Sequence, residues 1–313
     1  MVSIFIGVIS GLLWGLNDVF TDIYSINALS ITDTVMITLI FSVFLAWLQD
    51  TFSASSILLY HTYHQSFKTN WRQTPKALGW LILAAIGAGP FGMVAGIMGI
   101  HYAGPVYAGV ITACYPIIAL ILSVIFLREK TVFKKWLGVS MSVIGVILIS
   151  ITGAKSTGSN MGLGMIFALC AMIGWGAESV LVTRADQKAC LDTSWLLAIR
   201  QLCSSISYLL ILIGLSFHYH TIILSMLFVH WNTAYVLLCV LTAALSYLAY
   251  YTTIKNLGAS LATTFNASFI FWAAIFSIIM GLQPVYGSFF LWGCIVVMGI
   301  YFATKGTVTR LTD

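Results

Sequence analysis

Three ionisable side chains, Asp18, Glu178 and Arg200, stand within stretches of sequence that are otherwise almost wholly apolar. A charge in such surroundings is costly unless it has a partner or a water-filled space, so each one marks a place where chemistry can happen. Trp14, Asn17 and Asp18 follow i, i+3, i+4 spacing and share one helix face. Trp175, Glu178 and Ser179 repeat that spacing 161 residues later. A carboxylate among indole rings suits an organic cation, because ring faces attract ammonium groups and the acid supplies the countercharge. A guanidinium in the same place would suit a carboxylate. A plain structural ion pair tying two helices together is the competing reading of Glu178 and Arg200, and Glu178 as a proton site released from Arg200 is a further functional one.

The elements that must hold these groups follow from composition. The chain has 313 residues, 60% hydrophobic and 7% charged, whereas a soluble domain carries roughly 25% charged residues. Its 14 Lys and Arg and 9 Asp and Glu are too few to coat a body of this size against water, so the surface must face lipid. That excludes a water-soluble enzyme, a nucleic-acid binder and a disordered chain. The net charge of +5 is spread over separate short loops and is no phosphate-binding footprint. Six cysteines lie in or beside apolar stretches without metal-ligand spacing and read as small core hydrophobes. Met1 leads straight into apolar sequence with no basic n-region, so the first apolar run is expected to be retained as a helix.

A spanning helix needs about 20 mostly apolar residues, and ten stretches qualify, near 3–22, 32–50, 77–99, 105–127, 135–152, 162–184, 194–216, 233–253, 260–281 and 286–304. Ile57–Tyr63 either extends the second helix or lies along the interface. With the N terminus inside, twelve of the fourteen Lys and Arg fall in cytoplasmic loops, Lys155 alone falls outside, and Arg200 sits in a span. The asymmetry places both termini in the cytoplasm of a multi-pass protein of the cytoplasmic (inner) membrane. By helix rise, Glu178 lies ~9 Å and Arg200 ~12 Å from the cytoplasmic ends of successive helices, so the two are expected to face each other. Asp18 lies ~22 Å from the cytoplasmic start of its helix, either in a cavity or snorkelling outward. Asp22 and Asp33 read as external charges, and Asp186 and Asp192 as loop residues pairing with Arg184 and Lys188.

The two halves of the chain can be laid over one another. Trp14-Gly15 sits over Trp175-Gly176, His101-Tyr-Ala-Gly104 over Lys255-Asn-Leu-Gly258, and Phe-Leu-Arg-Glu129 over Met-Gly-Leu-Gln283. Five helices per half put the second half upside down, the inverted-repeat architecture of many alternating-access carriers. Trp14-Gly15, Tyr102-Ala-Gly104, and Leu127-Arg-Glu129 ahead of Trp136-Leu-Gly138 resemble the EamA repeats of the drug/metabolite transporter superfamily. The resemblance covers nearly the whole chain in two copies, 1–152 and 162–304. It implies an all-α integral membrane fold of ten transmembrane helices in two inverted five-helix repeats. In that family Pro commonly occupies the middle of the fourth and ninth helices; Pro116 matches, Ile270 does not, and the halves are expected to bend differently. Gly174-Trp-Gly-Ala-Glu178 followed by Ile199-Arg200-Gln201-Leu is similar to a subgroup that includes choline and small-amine importers.

The repeat brings Tyr115 and Thr112, and their counterparts Phe269 and Asn266, opposite the two tryptophan faces, with Tyr247, Tyr250 and Tyr251 where the first half has Met93, Gly96 and Ile97. The substrate-binding set is therefore Trp14, Asn17, Asp18, Tyr115, Trp175, Glu178, Arg200, Tyr247, Tyr250, Asn266 and Phe269. Trp47, Trp195, Trp231 and Trp292 fit an interfacial aromatic belt instead. Pro90 and Pro116 interrupt the third and fourth helices, and His218, His220 and His230 fall in a predicted external loop.

This reading is a secondary transporter of a small polar metabolite working by alternating access, with an organic cation such as choline or a related amine as substrate. An amino-acid or zwitterion exporter using Arg200 is the alternative. An intramembrane lipid-modifying enzyme is a third, opposed by the placing of His101 at a helix end and the other five histidines in predicted loops. No cofactor, metal or nucleic acid is implied, and no G-x-x-x-x-G-K-[ST] points to ATP or an ATPase subunit. The expected partners are the substrate, the lipid bilayer and a coupling proton or ion.

Overall fold

Within a bilayer, apolar chain can hide its backbone N–H and C=O groups only by closing hydrogen bonds along helices or around a barrel. The computed structural model describes residues 2–28, 35–103, 105–152, 160–228, 233–282 and 287–308, and every regular element among them is helical. Asp33, Lys155, His230, Trp231, Gln283 and the side chain of Asp22 lie outside the described residues. The first half holds α1 (Val2–Ala28), α2 (Val35–Tyr63), α3 (Phe67–Gln73), α4 (Pro75–Ile86), α5 (Gly92–Ala103), α6 (Pro105–Thr112), α7 (Tyr115–Phe126) and α8 (Phe133–Thr152). The second half holds α9 (Met161–Ala189), α10 (Thr193–Phe228), α11 (Thr233–Leu257), α12 (Ala259–Ala267), α13 (Phe269–Ile279) and α14 (Gly287–Val308). Among the described residues, eight segments are long and apolar enough to cross a membrane, and the apolar helix Phe290–Lys305 is shorter. The protein is a multi-pass membrane protein.

The halves pack crosswise. α1 lies against α11, α12 and α13 of the other half, while α9 lies against α4, α5 and α7 of the first. α2 pairs with α10, and α8 with α14. Glycines make these approaches possible. A Cβ on Gly15 would come within 2.7 Å of the Phe269 carbonyl oxygen, and a Cβ on Gly176 within 2.8 Å of that of Tyr115. These two contacts are equivalent under the internal repeat. Gly138 of α8 and Gly299 of α14 meet reciprocally, each lying where a side chain would strike the other's carbonyl oxygen.

One open choice is decided and two local expectations are corrected. Ile57–Tyr63 continues α2. The ninth segment breaks although it lacks Pro: Ser268 N–H bonds the Phe265 carbonyl at 3.2 Å, as Cys114 N–H bonds that of Ile111 at 3.1 Å. One tight i→i−3 turn interrupts both segments at equivalent positions, so the bend is set by the turn and does not require proline. His218 and His220 lie in α10, not in a loop, on either side of a kink at Tyr219 (φ −123°, ψ 27°). Pro90 behaves as expected, since Gly87–Phe91 forms a π-turn between α4 and α5 with Gly89 out of helical conformation (ψ −112°).

Candidate functional site

A cavity of about 330 Å³ opens within the bundle. Its inner part is formed by Glu178, Tyr115, Tyr247 and Tyr250, and its lining continues along α1, α2, α5 and α6 away from the end that carries the basic loops. Asp18 and Ile100, at the outer part of that lining, are exposed. Ten of the eleven residues singled out from the sequence line it, and Arg200 does not.

Arg200 lies behind the wall, 1% exposed. Its Nε is 2.8 Å from Glu178 Oε1 and its Nη1 is 3.4 Å from Asp50 Oδ2. Glu178 is thus paired with Arg200, as the matched helix depths anticipate. Tyr251 Oη donates to Glu178 Oε1 at 3.0 Å, and Ser204 Oγ, one turn beyond Arg200, donates to Asp50 Oδ2. The guanidinium carbon stands 5.1 Å from the centroid of the Tyr247 ring, a cation–π distance. The buried guanidinium thus faces two carboxylates and an aromatic ring, and such pairing is what permits a charge at membrane depth.

The aromatic walls are held by specific contacts. Trp175 Nε1 donates to the Ala88 carbonyl at 3.1 Å, an acceptor placed by the π-turn around Pro90. Gly92 and Gly96 leave room for its ring: a Cβ at either would sit 2.8 Å or 3.3 Å from the indole. Trp175 meets Tyr115 edge-on at 6.5 Å, and Tyr115 Oη donates to Asn266 Oδ1 at 3.0 Å across the two broken segments. On the other side Trp14 meets Tyr247 edge-on at 5.1 Å. Asn17 is buried, and its amide donates to the Cys239 carbonyl at 2.6 Å and to Thr242 Oγ1 at 3.1 Å, fixing α1 to α11. Phe269 and Asn266 reach the cavity from either side of the Ser268 turn.

Asp50 is the site residue that sequence reasoning missed. It is 5% exposed, lines the cavity and lies midway along α2. Ending the second span at residue 50 made it a helix-end charge, and counting Ile57–Tyr63 as helix would have put it at membrane depth. His61 was likewise assigned to a loop but is buried in α2, bonded to Ser66 Oγ at 2.7 Å and Ser194 Oγ at 3.0 Å. Trp195 is fully buried beside it and donates to Thr74 Oγ1 at 2.8 Å, so it is no part of an interfacial belt. Asp192 accepts from Asn70 at 3.0 Å and Asp186 pairs with Lys255 at 3.8 Å, while Arg184 donates to Gln187 at 3.1 Å. Long-range contacts with α3 and α11 have displaced the local pairs expected from loop proximity.

Relatives of this architecture are known. The chain is 29% identical to Protein LicB of Haemophilus influenzae (strain ATCC 51907 / DSM 11121 / KW20 / Rd) over 204 residues, which is 65% of this chain and 67% of that protein. A solved protein crystal structure superposes with a TM-score of 0.73 at 16% identity, covering 98% of this chain and 99% of the other. That second likeness concerns the fold alone. The EamA-like transporter family matches twice, over residues 1–151 and 162–305. Matched over nearly its whole length, the chain belongs to the EamA-like transporter family.

Proposed function

We propose that this protein is a secondary transporter of the cytoplasmic membrane that carries a small organic cation, choline or a related amine, by alternating access. Its units in this reading are ten spanning helices in two inverted five-helix repeats, 1–152 and 162–304, with both termini cytoplasmic. The crosswise packing of the halves and the equivalent breaks of the α6–α7 and α12–α13 segments support the repeat. The basic loops support the orientation, and in that orientation the cavity opens to the outside.

The observation that carries the substrate class is the cavity wall itself: a buried carboxylate, Glu178, set among Trp14, Trp175, Tyr115 and Tyr247. Ring faces and a countercharge together favour an ammonium group, each cation–π contact contributing about 0.5–2 kcal/mol according to its desolvation. The zwitterion reading needs Arg200 to meet a carboxylate, and Arg200 is turned to Glu178 and Asp50 behind the wall. Energy would come from a proton or ion gradient, from exchange, or from the substrate gradient alone. Uptake of radiolabelled choline into proteoliposomes tests the reading. Saturable uptake with counterflow, competed by amines and not by amino acids, supports it; competition by amino acids alone rejects it.

A further inference from the structure

Two carboxylates share one guanidinium at the inner wall of the cavity. Glu178 and Asp50 both line it, Arg200 pairs with each of them, and Arg200 itself is excluded from the lining. With both acids ionised, the cluster is short of one positive charge. Charges at membrane depth are held at high cost unless balanced, so a ligand that brings net +1 completes the balance. A zwitterion brings none, and its carboxylate would approach two carboxylates while the guanidinium faces away.

We propose that Asp50 is a specificity-determining residue: by engaging Arg200 from α2 it keeps the guanidinium out of the cavity and restricts the substrate to a net monocation. This rests on the organic-cation reading above. Three features make Asp50 the determinant. Its carboxylate is reached by both Arg200 and Ser204 of α10, so α2 and α10 jointly fix the direction of the guanidinium. Tyr247 covers the guanidinium carbon at 5.1 Å, closing the other approach. Glu178 alone would neutralise Arg200 and leave no attraction for a cation, so the surplus negative charge depends on the second acid. Selectivity of this kind is a difference between affinities, obtained by repelling the wrong ligand as well as attracting the right one.

The test is equilibrium binding to the purified full chain in detergent with three probes of similar shape: choline, its uncharged isostere 3,3-dimethyl-1-butanol, and the zwitterion glycine betaine. Wild-type protein is expected to bind choline at least tenfold more tightly than the isostere, and betaine more weakly than the isostere. In Asp50→Asn the cluster becomes neutral and Arg200 is released, so choline affinity falls at least tenfold and betaine overtakes the isostere. The double variant Asp50→Asn, Arg200→Gln leaves Glu178 as the one charge of the buried cluster, and choline affinity recovers toward wild type. A merely structural Asp50 would make the double variant worse than the single one. Unchanged probe ranking in Asp50→Asn, or a double variant weaker than the single, overturns the proposal while leaving the cation reading intact. Wild-type protein that binds none of the three overturns the cation reading and the proposal with it. Should Asp50→Asn fail to fold, the wild-type ranking decides, because betaine binding tighter than the isostere means that Arg200 is open to a carboxylate.

Discussion

Glu178 works through one carboxylate oxygen toward Arg200 and Tyr251, and its side chain still reaches the cavity wall. Glu178→Gln keeps the shape of the side chain and removes the charge. Choline binding is expected to weaken at least tenfold, about 1.4 kcal/mol or more, with the protein still monodisperse, as isothermal titration would show. Trp175 is held differently, by a hydrogen bond to a carbonyl in the Pro90 π-turn and by the absence of side chains at Gly92 and Gly96. Gly96→Val drives a branched side chain into the indole. Overpacking of this kind costs about 1–3 kcal/mol, so loss of binding with a change in Trp fluorescence is expected, and Gly79→Val, away from the cavity and with no neighbour within 4 Å, serves as the control. These residue identities were legible in the sequence because charge is scarce there. Asp50 was not, since its meaning depends on where α2 ends. His61 escaped for the same reason.

Helices approach one another in this fold where glycine removes the side chain between them. That is the usual route to close packing in lipid, where hydrophobic burial gives no drive between helices. The reciprocal contact of Gly138 and Gly299 joins α8 of the first half to α14 of the second. Gly138→Leu is expected to lower the melting temperature in detergent by several degrees, whereas Gly214→Leu, which faces open space, leaves it unchanged. Equal melting of the two variants would deny the contact its role. The family motif around Glu129 has a comparable structural explanation. Glu129 pairs with Lys135 at 3.2 Å and stands beside Gly258, whose φ of +87° a side chain would strain. The sequence carried the apolar runs and the repeat, because both are periodic signals. It did not carry the break at Ser268 or the continuation of α10 through His218 and His220, where a single turn or kink decides and no residue type announces it.

At the scale of the whole molecule, polar contacts tie the helices together at one end of the bundle, and the cavity lies toward the other. His61, Ser66 and Ser194 form one set of these contacts, and Trp195 with Thr74 forms another. In the orientation proposed above, this end faces the cytoplasm. Cysteines introduced at Ser42 and Gly109, which line the cavity, should react with a membrane-impermeant maleimide from outside in a background lacking native cysteines, and choline should slow the reaction. Labelling only from inside would reverse the topology. Transport through a charged aromatic cavity is tested most directly by choline counterflow in proteoliposomes holding wild-type protein or Glu178→Gln. Saturable counterflow by the wild type that is lost in the variant is the expected result; counterflow that persists undiminished in Glu178→Gln would contradict it.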